Sequence, residues 1–187
     1  YPPDTYTTDG SQIIDNDIKD GKYGIAILHT KDTTITGNTI SGNTASGFRL
    51  RADETNTIIR GNNITRNNTS DAATAGGILI EKDANADQIT ANFNNIVGNK
   101  QYGIFNGSTT DTVNATNNWW GDKSGPGGVG SGLGDAVSDN VNYDPWIGAE
   151  IENSKTDSVN NDTFDAKTEA DTEVVVTGGT ATVTAAK

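Results

Sequence analysis

Apolar residues in this chain alternate with polar ones over runs of three to six residues, and Asn or Gly punctuates the runs. One run type is Asn-x-apolar. It occurs at Asn16-Asp17-Ile18, Asn38-Thr39-Ile40, Asn62-Asn63-Ile64, Asn94-Asn95-Ile96 and Asn117-Asn118-Trp119, at intervals of 22, 24, 32 and 23 residues. A second Asn follows three residues after the apolar one at Asn43, Asn67 and Asn99, with Gly21 in that place in the first unit and Asp122 in the last. The other run type is Gly followed by alternation: Gly24-Ile25-Ala26-Ile27, Gly47-Phe48-Arg49-Leu50, Gly77-Ile78-Leu79-Ile80 and Gly103-Ile104-Phe105-Asn106. Period-two alternation over such short runs predicts half-buried strands, two in each unit. The 32-residue interval is assigned to an insertion near 71–76 plus two extra residues within 89–93.

Self-similarity at this period predicts a solenoid, because one coil cannot bury its apolar stripe alone. Stacked coils place Ile18, Ile40, Ile64, Ile96 and Trp119 on one wall and Ile25, Phe48, Ile78 and Ile104 on another. Stacking at the strand spacing lets side-chain amides bond from coil to coil. Asn16, Asn38, Asn62, Asn94 and Asn117 are expected to form one ladder, and Asn43, Asn67 and Asn99 a second. The expected domain is an all-β solenoid over residues 1–148. Residues 149–170 are polar and read as an extended linker. Residues 171–187 read as a β-hairpin turning at Gly178-Gly179. An isolated hairpin is marginal in water. Its apolar residues Val174, Val175, Val176, Ala181 and Val183 are therefore expected to dock on the rod, on a neighbouring subunit or on a further domain.

Composition sharpens this picture. Only 32% of the 187 residues are hydrophobic, which by itself suggests disorder. The polar excess, however, is 22 Asn, 27 Thr and 22 Gly, residues suited to strands and tight turns. A formal charge of −12 argues against a phosphate-backbone partner, so no nucleic acid is expected. With no Cys and a single His, His29, neither thiolate chemistry nor a His-pair metal site can be built. No apolar run reaches the roughly 18 residues of a membrane-spanning helix. The chain opens on Tyr1 with no leader, which reads as a mature form or an excised piece.

With these residues in view, the chain resembles the right-handed parallel β-helix repeat proteins of the pectate-lyase-like superfamily. Within it, the chain is most similar to Asn-rich modules of secreted and cell-surface proteins of archaea and bacteria. The resemblance covers 13–122 and extends through Asn118-Trp119-Trp120-Gly121, Gly125-Pro126-Gly127-Gly128 and Val141-Asn142-Tyr143-Asp144-Pro145-Trp146. It implies a right-handed parallel β-helix of about five to six coils, with an extracellular or cell-surface location. Members include polysaccharide lyases, glycosidases, epimerases, adhesins and surface-layer components, so the fold does not choose among them. Such helices usually begin with an N-terminal cap. Here Tyr1 to Thr5 lead almost directly into the first coil, so its lower edge is expected to be open.

Outward positions of the Gly-led strands fall in columns: Ala26, Arg49, Leu79, Phe105; then Leu28, Arg51, Glu81, Gly107; then His29, Ala52, Lys82, Ser108. His29, Arg49, Arg51, Glu81 and Lys82 thus share one face. The resemblance implies that a lyase would use an Arg or Lys base on such a face, often beside Ca²⁺ held by carboxylates. The plainer reading is an Arg51–Glu81 ion pair worth under about 1 kcal/mol. Glycosidase chemistry needs paired carboxylates, and Asp15, Asp17 and Asp32 do not stack with other acids. No cofactor is expected. The one ion that the turn residues Asp71, Asp83, Asp87, Asp135, Asp139 and Asp144 suit is a structural Ca²⁺, against which Asx turns are the simpler use of Asp. Trp119, Trp120, Trp146, Tyr23, Tyr102 and Phe105 offer either sugar-stacking rings or covers for the last coil and the Gly-rich loop. Six Asn-x-Ser/Thr sequons occur, at Asn63, Asn67, Asn68, Asn106, Asn114 and Asn161. The reading that follows is a non-catalytic extracellular structural protein, a β-helix subunit of a surface layer, sheath or filament. It would assemble with other copies by end-to-end stacking and strand addition. The alternative is a polysaccharide-binding or polysaccharide-cleaving β-helix, with a cell-surface glycan as partner.

Overall fold

The computed structural model describes residues 8–52 and 54–152, together with the strands Thr163–Ala166, Thr172–Thr177 and Thr180–Ala185. The chain winds as a parallel β-helix, and each full coil contributes three strands, one more than the alternation predicts. The first sheet stacks Gln12–Ile14, Thr34–Thr36, Thr57–Arg60, Ile89–Asn92, Val113–Asn114 and Val141–Asn142. The second stacks Asp17–Lys19, Thr39–Ser41, Asn63–Thr65 and Asn95–Val97. The third stacks Tyr23–Leu28, Ser46–Arg51, Gly76–Ile80, Tyr102–Asn106, Gly134–Val137 and Pro126–Gly128. The first sheet escaped the sequence reading because runs such as Thr34-Ile35-Thr36 carry one apolar residue each, too little to register as alternation.

In-register parallel pairing lays like residues over one another. Ile13, Ile35, Ile59 and Ala91 form one inward column, and Ile18, Ile40, Ile64 and Ile96 another. Ile25, Phe48, Ile78, Ile104 and Val137 form a third. Ile35, Ile40, Ile59, Ile64, Ile78, Ile96, Ile104 and Phe48 are completely buried. Each such side chain contributes roughly 1.5–3 kcal/mol relative to exposure. Ile13 and Ile18, in the lowest coil, pack against this core but are only partly buried.

The corner between the first and second sheets is turned by a left-handed residue: Asp15 (φ 56°), Gly37 (68°), Gly61 (63°), Phe93 (56°) and Asn117 (57°). The next residue in each coil is the ladder Asn. Asn38 donates its backbone N–H and Nδ2 to Asn62 Oδ1, both at 3.0 Å. Asn62 does the same to Asn94 Oδ1 at 2.9 and 3.0 Å, and Asn94 to Asn118 Oδ1 at 2.8 and 3.1 Å. The ladder therefore ends on Asn118, not on Asn117 as expected. Asn tolerates the left-handed region best among residues with a side chain, so Asn117 takes the corner and its neighbour takes the rung.

The same one-residue correction applies to the tryptophans. Asn95 lies opposite Trp119, so Trp120 rather than Trp119 enters the core; it is completely buried while Trp119 is half-exposed. A single step of register moves a side chain to the opposite face. Trp119→Ala is expected to cost less than about 1 kcal/mol. Trp120→Phe is expected to cost about 1–2 kcal/mol, since the indole N–H it removes has no hydrogen-bond partner and only volume is lost. Urea unfolding of the two variants checks the order; a costlier Trp119 change would reverse the assigned register.

The second ladder runs from Gly21 N–H to Asn43 Oδ1 (3.0 Å), then Nδ2 to Oδ1 from Asn43 to Asn67 (2.8 Å) and from Asn67 to Asn99 (2.9 Å). It ends on Asp135, whose carboxylate accepts from Gly98 N–H and from Asn99 N–H and Nδ2. Asp122, expected at this place, instead accepts from Ser124. The insertion is also placed differently in part. Residues 69–74 form an exposed loop, but Ile89–Asn92 pairs one for one with Thr57–Arg60. The two extra residues therefore lie in the preceding turn, where Ala86–Gln88 forms a 3-10 turn.

Most of the expected linker, residues 149–170, lies outside the described residues. Ala149 and Ile151 are buried, and Ile151–Glu152 begins a four-stranded antiparallel sheet with Thr163–Ala166, Thr172–Thr177 and Thr180–Ala185. The Asn95 side chain acts as a peptide group at this junction. Its Oδ1 accepts from Ile151 N–H at 2.8 Å and its Nδ2 donates to Ile151 O at 2.6 Å. In the last two strands Val174 pairs with Val183, Val175 with Thr182 and Val176 with Ala181. The expected turn at Gly178-Gly179 lies outside the described residues.

Candidate functional site

Of the three sheets of the helix the third has the longest strands, and alternation gives it a broad outer face. Ala26, Arg49, Leu79 and Phe105 stand in register across it, with Leu28 beside Arg51. Arg49 is the centre of the only polar cluster there that the described contacts define. Its guanidinium lies 4.8 Å from the centroid of the Tyr23 ring, and its Nε donates to Glu81 Oε1 at 2.5 Å. Lys22 approaches the same ring at 5.5 Å. The expected Arg51–Glu81 pair is thus an Arg49–Glu81 pair. Glu81 sits one residue past the strand Gly76–Ile80 and reaches back to the cation that Tyr23 holds in place. Both partners are only partly buried, so the pair is worth about 1 kcal/mol or less. The hydrogen bond to Glu81 holds the Arg49 guanidinium above its ordinary value, the wrong direction for a group that must surrender its proton.

The other proposed face residues are dispersed. His29 and Ala52 occupy left-handed corners, with φ of 50° and 64°, just beyond their strands. Lys82 is exposed in a turn. Arg51 keeps its Nε buried without a hydrogen-bond partner. At the C-terminal end of the face, an open groove of about 570 Å³ is lined by Tyr102, Phe105, Ser108, Val129, Asp139 and Asn140. The Tyr102 and Phe105 rings lie 5.1 Å apart, tilted by 58°. Trp146 instead covers the Gly-rich loop: a Cβ at Gly125 would lie 2.6 Å from its ring, and its Nε1 donates to Lys123 O.

Two carboxyls have displaced pKa values: Glu54, which the sequence did not single out, and Asp135, which it offered only as a Ca²⁺ ligand. Glu54 is completely buried, and neither of its side-chain oxygens has a hydrogen-bond partner. Burial pushes it up to about 7, and the charge of Asp83 adds to the rise. The backbone N–H groups of Glu54, Arg51 and Asn85 lie close enough to oppose it, though none completes a hydrogen bond. Burial likewise pushes Asp135 up to about 6, against the downward pull of its bonds from Asn99 and Gly98. A single Glu in a turn carries no periodic signal. The sequence offers Asp135 as a Ca²⁺ ligand and Asp122 as the fifth rung of the second ladder; that Asp135 is that rung shows only in the structure. Of the acids suggested for Ca²⁺, Asp71 accepts from Gln101 and Asp135 ends the ladder. Among the described residues no three His, Cys, Asp or Glu come together to hold a metal ion.

A family model described as a right-handed beta helix region matches residues 4–119, well over half the chain. No curated protein and no solved structure matches it.

Proposed function

This chain belongs to the right-handed β-helix family, and from that premise we propose that it is a non-catalytic extracellular structural protein, a rod-like subunit of a surface layer, sheath or filament. The observation that carries this reading is the pair of uninterrupted amide ladders, Asn16 to Asn118 and Gly21 to Asp135, running up a continuous apolar core. Hydrogen bonds in both the backbone and the side chains of every coil make a stiff spacer. At the C-terminal end, Pro145 O accepts from Asn117 N–H and Ile147 N–H donates to Asn118 O, while Val141–Asn142 and Pro126–Gly128 remain edge strands. At the other end Gln12–Ile14, Asp17–Lys19 and Tyr23–Leu28 are edge strands among the described residues. Both ends thus offer unpaired strand edges, which strand addition would pair. Thr180–Ala185, at the margin of the antiparallel sheet and free of charged residues, is its natural acceptor. Electron microscopy of the full chain is expected to show ordered assemblies, and a chain lacking 171–187 is expected to remain monomeric. Equal assembly by both would remove the strand-addition step.

A second reading, glycan binding, is favoured by the groove at Tyr102 and Phe105, where aromatic faces meet the hydroxyl and carboxylate groups of Ser108 and Asp139. Phe105→Ala is expected to lower affinity for a bound oligosaccharide at least about tenfold, as loss of one stacked ring does. A glycan that binds equally well to this variant and is lost with Arg49→Ala would move the site to the Tyr23 cluster.

A further inference from the structure

We propose that the fold presents Asn114 as an acceptor for N-linked glycosylation, taking an oligosaccharide from a polyprenyl-phosphate or polyprenyl-diphosphate donor. The inference rests on the extracellular reading only in that the chain must meet the transferring enzyme.

Five of the six sequons lie in described residues, and their amides are in very different states. Asn67 is completely buried and donates Nδ2 to Ile40 O and Asn99 Oδ1. Asn68 is completely buried and donates to Ala72 O and Lys100 O. Asn106 is 5% exposed and donates to Asp111 O and Asn140 O. In each, both amide N–H bonds are consumed inside the protein, and the nitrogen that must react is out of reach. Asn63 is half-buried between neighbouring strands, with its Oδ1 accepting from Asn95.

Asn114 differs on every count. It ends the short strand Val113–Asn114 and is exposed. Its Oδ1 accepts from Thr116 Oγ1 at 3.1 Å, from Asn92 Nδ2 at 3.3 Å and from Thr116 N–H at 3.4 Å. Those donors fix which side of the amide is oxygen and leave Nδ2 without a hydrogen-bond partner among the described residues. The Thr116 hydroxyl, the third residue of the sequon, is thus already placed on the Asn114 amide. Asn142, its in-register neighbour on the outer strand, is also exposed, so that side of Asn114 is open. Transfer would break one Nδ2–H bond of Asn114 and form a bond from Nδ2 to C1 of the donor sugar. The C1–O bond to the phosphate would break with its electron pair leaving on the phosphate oxygen, and the proton would pass to base or to the released phosphate.

The test uses the folded full chain, a polyprenyl-diphosphate-linked oligosaccharide and a purified oligosaccharyltransferase chosen because it modifies the urea-unfolded chain. Peptide mapping by mass spectrometry reads each site. In the folded chain, occupancy at Asn114 is expected to exceed that at Asn63, Asn67, Asn68 and Asn106 by at least about tenfold, because buried amides react only from locally opened states. In the unfolded chain the preference should vanish. Thr116→Ala should abolish modification at Asn114 and leave the other sites as they were. A folded chain bare at Asn114, or modified at Asn63 as readily, overturns the assignment. Modification in vitro of a chain that is bare at Asn114 in its own cells supports the acceptor geometry and overturns the extracellular placement instead.

Discussion

Asn62→Ala is expected to destabilise the protein by on the order of 3–5 kcal/mol, among the largest effects of any single polar substitution in this chain. The expectation follows from what the side chain holds. Its Oδ1 accepts from Asn38 N–H and Nδ2, and its Nδ2 donates to Ile35 O, Arg60 O and Asn94 Oδ1. Asn38, Asn62 and Asn94 are all completely buried. Alanine removes none of the groups that faced the amide; it only unpairs them. Each buried unpaired group costs about 1–3 kcal/mol, and water entering the gap keeps the total below the full sum. Asn16→Ala is the internal control. Asn16 is exposed and stands at the foot of the same ladder, so its loss should cost no more than about 1 kcal/mol. Denaturant titrations of both variants at constant slope decide the matter. A loss of less than about 1 kcal/mol at Asn62 would mean that the ladder adds specificity of register but little stability.

Asn62 also shows how much of the fold was legible beforehand. Recurrence of Asn at one phase was visible, and so was its ladder, because stacking identical coils leaves a buried amide only its own image as a partner. What the recurrence could not supply was phase where two Asn adjoin. At Asn117-Asn118 either residue satisfies the pattern, and only the need for a left-handed corner before each rung separates them. Once Asn117 is assigned to the corner column of Gly37, Gly61 and Phe93, Asn118 and Trp120 follow. The first sheet was illegible for a different reason. Several of its strands lean on Thr, which is at home both in strands and in turns, and one or two inward apolar residues per strand are too short a signal to show a period. Sites were less legible still. The columns on the outer face were correctly aligned, yet the Arg49–Glu81 contact crosses between columns, because a long side chain answers to a ring three residues off its register. Glu54 left no trace in the pattern at all; its burial is a property of how two turns close over it.

That buried carboxyl leads to the second large effect. Stability is expected to rise as pH falls from 8 to 5, the reverse of a protein held by ionised acids. Glu54 moves from an ordinary value of 4.5 to about 7 on folding, and Asp135 from 3.8 to about 6. Both bind their proton more tightly in the folded state. Their stabilising contribution is therefore full below the ordinary values and is lost as pH rises through about 6 for Asp135 and about 7 for Glu54. At about 1.4 kcal/mol per unit, the two together amount to several kcal/mol at most, which for a chain of this size moves the melting temperature by on the order of 10 °C. The net charge of −12 also weakens towards acid and acts in the same direction, so the origin must be separated from the sign. Salt does this in part, since it screens the surface charges and not a completely buried carboxyl. Glu54→Gln does it directly. Neither Glu54 oxygen accepts a hydrogen bond, so glutamine mimics the protonated form without unpairing a donor. Asparagine at 135 would be a poorer probe, because it surrenders an acceptor that Gly98 or Asn99 uses. Glu54→Gln should match the parent at pH 4 and exceed its stability at pH 8, with the limb of the profile near pH 7 erased. A profile flat or rising between pH 5 and 8 in high salt, or one that glutamine leaves unchanged, would show that Glu54 finds a partner in solution that keeps it ionised.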